Sequence, residues 1–201
     1  MLNKRGNPSV HMGVKRPWLS FLMVAVGLQT WADPARILLI RHGEKPEPED
    51  HADPHLSAAG RERARNWVNY FTNSTGETPI ALFAPKPTPR HPSVRPIETL
   101  EPLAAALKIK VRTPFSSSDY AKLAQQLRAD PKLEGRTVVV CWVRQSLPDL
   151  AAALGVQPLP AEWSETNYAG VYEVTFSAGK TGFRGIPDAR AAPVMPARRN
   201  H

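Results

Sequence analysis

A single cysteine, Cys141, excludes an intrachain disulfide and leaves the redox compartment unreadable from cysteine pairing. Placed after Val138-Val139-Val140, it reads as a small buried thiol rather than a nucleophile. Long apolar runs are also missing. The eleven residues Trp18–Leu28 are too few to span a bilayer comfortably. Residues 1–32 hold Lys4, Arg5, Lys15 and Arg16 but no acid, and residues 179–201 hold Lys180, Arg184, Arg190, Arg198 and Arg199 against Asp188 alone. The net charge of +8 therefore belongs to the two ends, the stretch between them is neutral, and a nucleic-acid groove is excluded as a reading of the core. Histidine is absent between His91 and His201, and there is no internal repeat.

What is present begins with Lys15-Arg16, the apolar Trp18–Leu28 segment and Thr30-Trp31-Ala32, the order of a signal peptide ending before Asp33. Residues 1–32 are expected to be removed, giving a periplasmic or secreted protein with no stable membrane insertion after processing. An uncleaved N-terminal anchor is the alternative, and Met12 is a second possible start.

Ile37-Leu38-Leu39-Ile40, apolar without alternation, predicts a parallel strand buried on both faces. It delivers Arg41-His42-Gly43-Glu44-Lys45 at its carboxyl end, where open α/β sheets bind ligands. An imidazole there can attack phosphorus while a guanidinium grips the non-bridging oxygens, and Gly43 would let a phosphate approach the backbone. The same residues could instead cap carbonyls and pair with acids, so the rest of the chain has to decide. The following loop to His55 holds histidines and acids. Pro54 keeps His51 and His55 off one helical face and no second ligand cluster follows, so neither a metal nor another cofactor is expected.

Ser57 is placed to cap a helix carrying Ala64, Trp67, Val68 and Phe71 at helical spacing, with Arg61, Arg63 and Arg65 on its other faces. Ile80–Ala84 reads as the second strand and Pro85–Pro92 as an irregular proline-rich loop. Arg95 stands at the mouth of a helix running through Thr99 and Leu103 to Leu107, suited to an anion. Ile109–Val111 is a short strand, Ser118 a cap for a helix from Asp119 to Arg128, and Thr137–Trp142 a central strand. Val143–Ser146 is then a loop before a helix with Pro148 in its first turn and Gly155 past its end, and Val171–Phe176 is the last strand. This alternation predicts a three-layer α/β domain over 33–178, with a mostly parallel sheet and helices on both faces. Residues 179–201, rich in Gly, Pro, Ala and Arg, read as a disordered basic tail.

Taken together, Arg41-His42-Gly43-Glu44, Leu56-Ser57-Ala58-Ala59-Gly60, Arg95-Pro96-Ile97-Glu98-Thr99, the stretch Val138–Gly155 and Trp163–Phe176 resemble, in order, the histidine phosphatase superfamily of phosphoglycerate-mutase-like fold. The resemblance implies that His42 is the phosphorylated nucleophile, that Arg41 and Arg95 hold the phosphoryl oxygens, and that Gly43 and Glu44 belong to the substrate-binding motif. Arg144 stands where the family pattern has its second pocket histidine. Arginine keeps charge and a donor fork but does not titrate near neutral pH. The expected partner is a small phosphorylated substrate or inorganic phosphate. The function implied is a metal-independent phosphomonoester hydrolase with a phosphohistidine intermediate, and the alternative is a catalytically silent relative that binds a phosphorylated ligand or partner. Glu44, Glu98 and Glu165 are the candidate leaving-group acids.

Overall fold

The computed structural model describes residues 33–46, 53–74 and 78–189. The expected signal peptide and the last part of the expected tail, residues 190–201, lie outside the described residues.

Six strands form one sheet in the order β3-β2-β4-β1-β5-β6. They are β1 (Arg36–Arg41), β2 (Ala81–Phe83), β3 (Val111–Arg112), β4 (Thr137–Trp142), β5 (Val171–Ser177) and β6 (Lys180–Ile186). The first four are mutually parallel, with β1 in register on β4 from Arg36↔Thr137 to Arg41↔Trp142. β5 runs antiparallel to β1, and β6 antiparallel to β5. The helices are α1 (Ala58–Asn69), α2 (Arg95–Leu107), α3 (Tyr120–Ala129) and α4 (Leu147–Ala153).

The uninterrupted apolar run of β1 is explained by two cores, one on each face of the sheet. Ile37 and Leu39 join Val138, Val140, Leu123, Leu127, Leu150 and Ala151 beneath α3 and α4. Leu38 and Ile40 point the other way, into Val139, Trp67, Phe71, Leu100 and Leu103 beneath α1 and α2. A strand with water on one face would have alternated. The three-layer α/β architecture is therefore as the sequence predicts.

Three local expectations need correction. Ser57 does cap α1, accepting from Gly60 N–H at 3.0 Å, but Ser118 does not cap α3, which starts after Asp119 without a side-chain cap. β3 begins at Val111 rather than Ile109 because α2 ends through Lys108 in the left-handed region, φ 54°, and Ile109 still bonds back to Ala104 O. Most substantially, the tail is not wholly disordered. Residues 180–186 form β6, paired along its length with β5, and Ala189 is buried with its N–H on Ala169 O at 2.8 Å. The link between the two strands is Ala178-Gly179, both at positive φ (49° and 74°), the geometry of a two-residue hairpin turn.

β5 also carries the buried charge that ties this edge down. Glu173, 5% exposed, meets Arg36 of β1 at 3.4 Å and Arg184 of β6 at 2.6 Å. Arg36 Nε donates to Thr137 Oγ1 at 3.2 Å. A carboxylate this deep is tolerated because both cations reach it.

Candidate active site

Because β1, β2 and β4 are parallel, their carboxyl ends Arg41, Phe83 and Trp142 share one edge of the sheet. The loops leaving that edge surround a cavity of about 650 Å³ whose wall includes Arg41, His42, Arg95 and Arg144. Three separate loops thus bring together all four residues named as catalytic candidates.

His42 directly follows β1. Its Nδ1 lies 2.8 Å from the carbonyl oxygen of Gly43, so the proton belongs on Nδ1, which donates to that oxygen, and Nε2 keeps the lone pair. Burial, with help from Arg41, Arg95 and Lys45, lowers its pKa from 6.5 to about 4. The imidazole is neutral at physiological pH.

Arg41, 6% exposed, donates through Nη1 to the Glu165 carbonyl and through Nη2 to Tyr168 Oη at 3.0 Å. Its guanidinium lies 3.8 Å from the Tyr168 ring centroid. Desolvation is the largest influence on its pKa and lowers it. Arg95, the first residue of α2, donates to Asp53 O at 2.6 Å and His55 O at 3.1 Å. Glu98, one turn on, accepts Leu56 N–H at 2.7 Å and meets His55 Nδ1 at 2.5 Å, so Arg95 and Glu98 together pin residues 53–56 to the start of α2. Arg144, just past β4, meets Glu165 Oε1 at 2.5 Å and donates to Trp163 O at 3.3 Å.

The structure gives Gly43 and Glu44 other work than the sequence suggested, and neither lines the cavity. A Cβ on Gly43 would stand 2.8 Å from Gly60 O, and one on Gly60 would stand 2.4 Å from Glu44 O. The two glycines let the loop after β1 and the first turn of α1 touch backbone to backbone. Glu44 is held by Arg63, with Arg63 Nε 2.9 Å from both carboxylate oxygens. With Glu98 bound to His55 and Leu56, only Glu165 of the three candidate acids is on the cavity wall.

Sequence reasoning gave no site role to Thr99, Tyr168, Arg90 or His91. Thr99 is fully buried. Its hydroxyl accepts from Gly43 N–H at 2.9 Å and donates to Arg95 O at 2.8 Å, coupling the histidine loop to the arginine helix. Arg90 and His91 reach the wall from the loop after β2, and the visible signal was their charge in a loop at a strand's carboxyl end. Cys141 is buried beside Thr99, and burial pushes its thiol pKa well up, which leaves no thiolate for chemistry. Among the described residues, no group of three or more His, Cys, Asp or Glu side chains could hold a metal ion.

No family model matches the sequence, and no curated protein matches it. Solved structures do. An alpha-ribazole-5'-P phosphatase described as putative, from Escherichia coli, superposes with a TM-score of 0.50 at 14% identity over 78% of this chain and 98% of its own. A phosphoserine phosphatase variant from Entamoeba histolytica, solved with phosphoserine, gives 0.50 at 14% identity over 77% and 98%. YhfR of Bacillus stearothermophilus gives 0.50 at 17% over 76% and 96%. The fold of this chain is that of the phosphoglycerate-mutase-like histidine phosphatases.

Proposed function

We propose that the chain is a metal-independent phosphomonoester hydrolase acting by in-line transfer to His42 Nε2. The Nε2–P bond forms as the ester P–O bond breaks. Water then cleaves the phosphohistidine, returning the lone pair to Nε2 and releasing inorganic phosphate. The observation that carries this reading is the Nδ1–H of His42 on the Gly43 carbonyl, which orients the ring and leaves a neutral nucleophile on an arginine-lined wall. Arg41, Arg95 and Arg144 supply the positive charge that phosphoryl transfer needs around its oxygens.

Protonation of the leaving group is the weak step. Among the described residues, Glu165 is the only carboxylate on the wall and is engaged by Arg144, so esters of acidic alcohols, which leave without a proton, are the favoured substrates.

The Arg144–Glu165 pair also favours a second reading, a silent relative that binds a phosphorylated ligand. A permanent cation that binds phosphate as well as the transition state gives no help to kcat and slows release. Hydrolysis of p-nitrophenyl phosphate separates the two. Slow turnover by the wild type, none by His42→Ala, and about a tenfold rise in Arg144→His, or ~1.4 kcal/mol in the barrier, support the hydrolase. Phosphate binding with no turnover in any of the three supports the silent binder.

A further inference from the structure

Arg41 is gripped along part of its guanidinium and left open along the rest. Nη1 donates to the Glu165 carbonyl and Nη2 to the Tyr168 hydroxyl at 3.0 Å, while the Tyr168 ring lies 3.8 Å from the guanidinium carbon. Neither acceptor is a carboxylate, so the hold leaves the positive charge unneutralised. The Nε–H is buried and has no hydrogen-bond partner among the described residues. A buried charged donor is costly to leave unpaired, and a phosphoryl oxygen is the acceptor that this site offers it.

Tyr168 can orient Arg41 because Tyr168 is itself fixed. Its neighbour Asn167 accepts Ala169 N–H at 3.0 Å and Gly170 N–H at 2.8 Å through Oδ1, and donates through Nδ2 to Pro187 O at 3.1 Å. The Asn167 carbonyl accepts the indole N–H of buried Trp163 at 2.7 Å. Ala169 O accepts Ala189 N–H at 2.8 Å. The chain on both sides of Tyr168 is therefore pinned to Trp163 and to the segment that follows β6. An arginine side chain has about 2 kcal/mol of rotamer entropy to lose, and a ring and hydroxyl held in this way confine it before any ligand arrives.

We propose that Tyr168 is a positioning residue for the reaction: its hydroxyl and ring hold the Arg41 guanidinium so that Nε–H and the remaining Nη protons meet the phosphoryl oxygens beside His42. This rests on the phosphomonoester reading of the site.

The test reads the hold and its consequence separately, in the full chain. Rotation of the Arg41 guanidinium is followed by its nitrogen-15 NMR signals, assigned by their loss in Arg41→Lys, and affinity for inorganic phosphate is followed by calorimetric titration. Tyr168→Phe keeps the ring and is expected to weaken phosphate binding about threefold to tenfold, the worth of one hydrogen bond, with a larger loss in Tyr168→Leu. Both changes are expected to speed the rotation. In the Arg41→Lys background neither change is expected to cost further affinity, which a general loosening of the fold would not give. Unchanged rotation in both variants, unchanged phosphate affinity in both, or an equal loss in the Arg41→Lys background overturns the proposal. Failure of the phosphomonoester reading looks different: the wild type then binds no phosphate, and this inference falls with it.

Discussion

Replacing Gly60 by alanine puts one methyl group between the two segments that fix the position of His42. The new Cβ would lie 2.4 Å from Glu44 O, 2.9 Å from Glu44 N and 3.1 Å from Leu56 Cδ2. The first two neighbours are backbone, so the loop after β1 must move by about 1 Å to restore ordinary contact. Overpacking of this kind costs about 1–3 kcal/mol, and the better helix propensity of alanine in α1 returns up to about 1 kcal/mol. The net is ~1–2 kcal/mol of destabilisation, or a Tm lower by roughly 2–8 °C for a chain of this size. Activity is expected to fall further than stability, since displacing a reacting group by about 1 Å can cost ~100-fold. Thermal unfolding and kcat/KM toward p-nitrophenyl phosphate measure the two effects, and Ala59→Gly, an exposed change in the same turn, controls for propensity alone. A Gly60→Ala protein with wild-type Tm and rate would refute the backbone-contact account.

The remaining expectations concern protons and the edge of the sheet. In a titration followed by histidine ring NMR signals, His42 should have its midpoint at about 4, and His55, beside Glu98, should titrate above its ordinary value; overlapping midpoints near 6.5 would contradict both assignments. The signs follow: His42, with its folded pKa depressed, favours the folded state above pH 6.5 and loses that contribution as pH falls toward 4, whereas the His55 contribution is present at low pH and lost as pH rises through its raised pKa. Truncation after Ala178 should lower Tm by several degrees, because it removes β6, the Arg184–Glu173 pair and the Phe183 contact on Tyr172; an unchanged melting curve would show that β6 adds nothing.

The parts of this molecule that could be read from the sequence are those where chemistry is local. The β1 run is apolar because both of its faces are covered, and the reactive cluster follows it directly. β6 was hidden for the opposite reason. Lys180-Thr181-Gly182-Phe183-Arg184-Gly185 has two glycines and exposed charges, as an edge strand can, and its strand character comes from pairing with β5. Its turn was disguised by Ala178, an alanine in a left-handed position where Asn or Gly would have been a signal. In the sequence Gly43 suggests room for phosphate, because its real neighbour, Gly60, is distant in sequence and meets it only in the fold. Glu98 and Glu44 were candidate acids by position, and their partners His55 and Arg63 were knowable only in three dimensions.

The most direct test of the central claim is to look for the intermediate itself. After brief incubation with p-nitrophenyl phosphate and rapid quenching at alkaline pH, mass spectrometry of peptides should find one acid-labile phosphate on His42 and none in the His42→Ala protein. Turnover with no phosphate on His42, or turnover that persists in His42→Ala, would contradict the account.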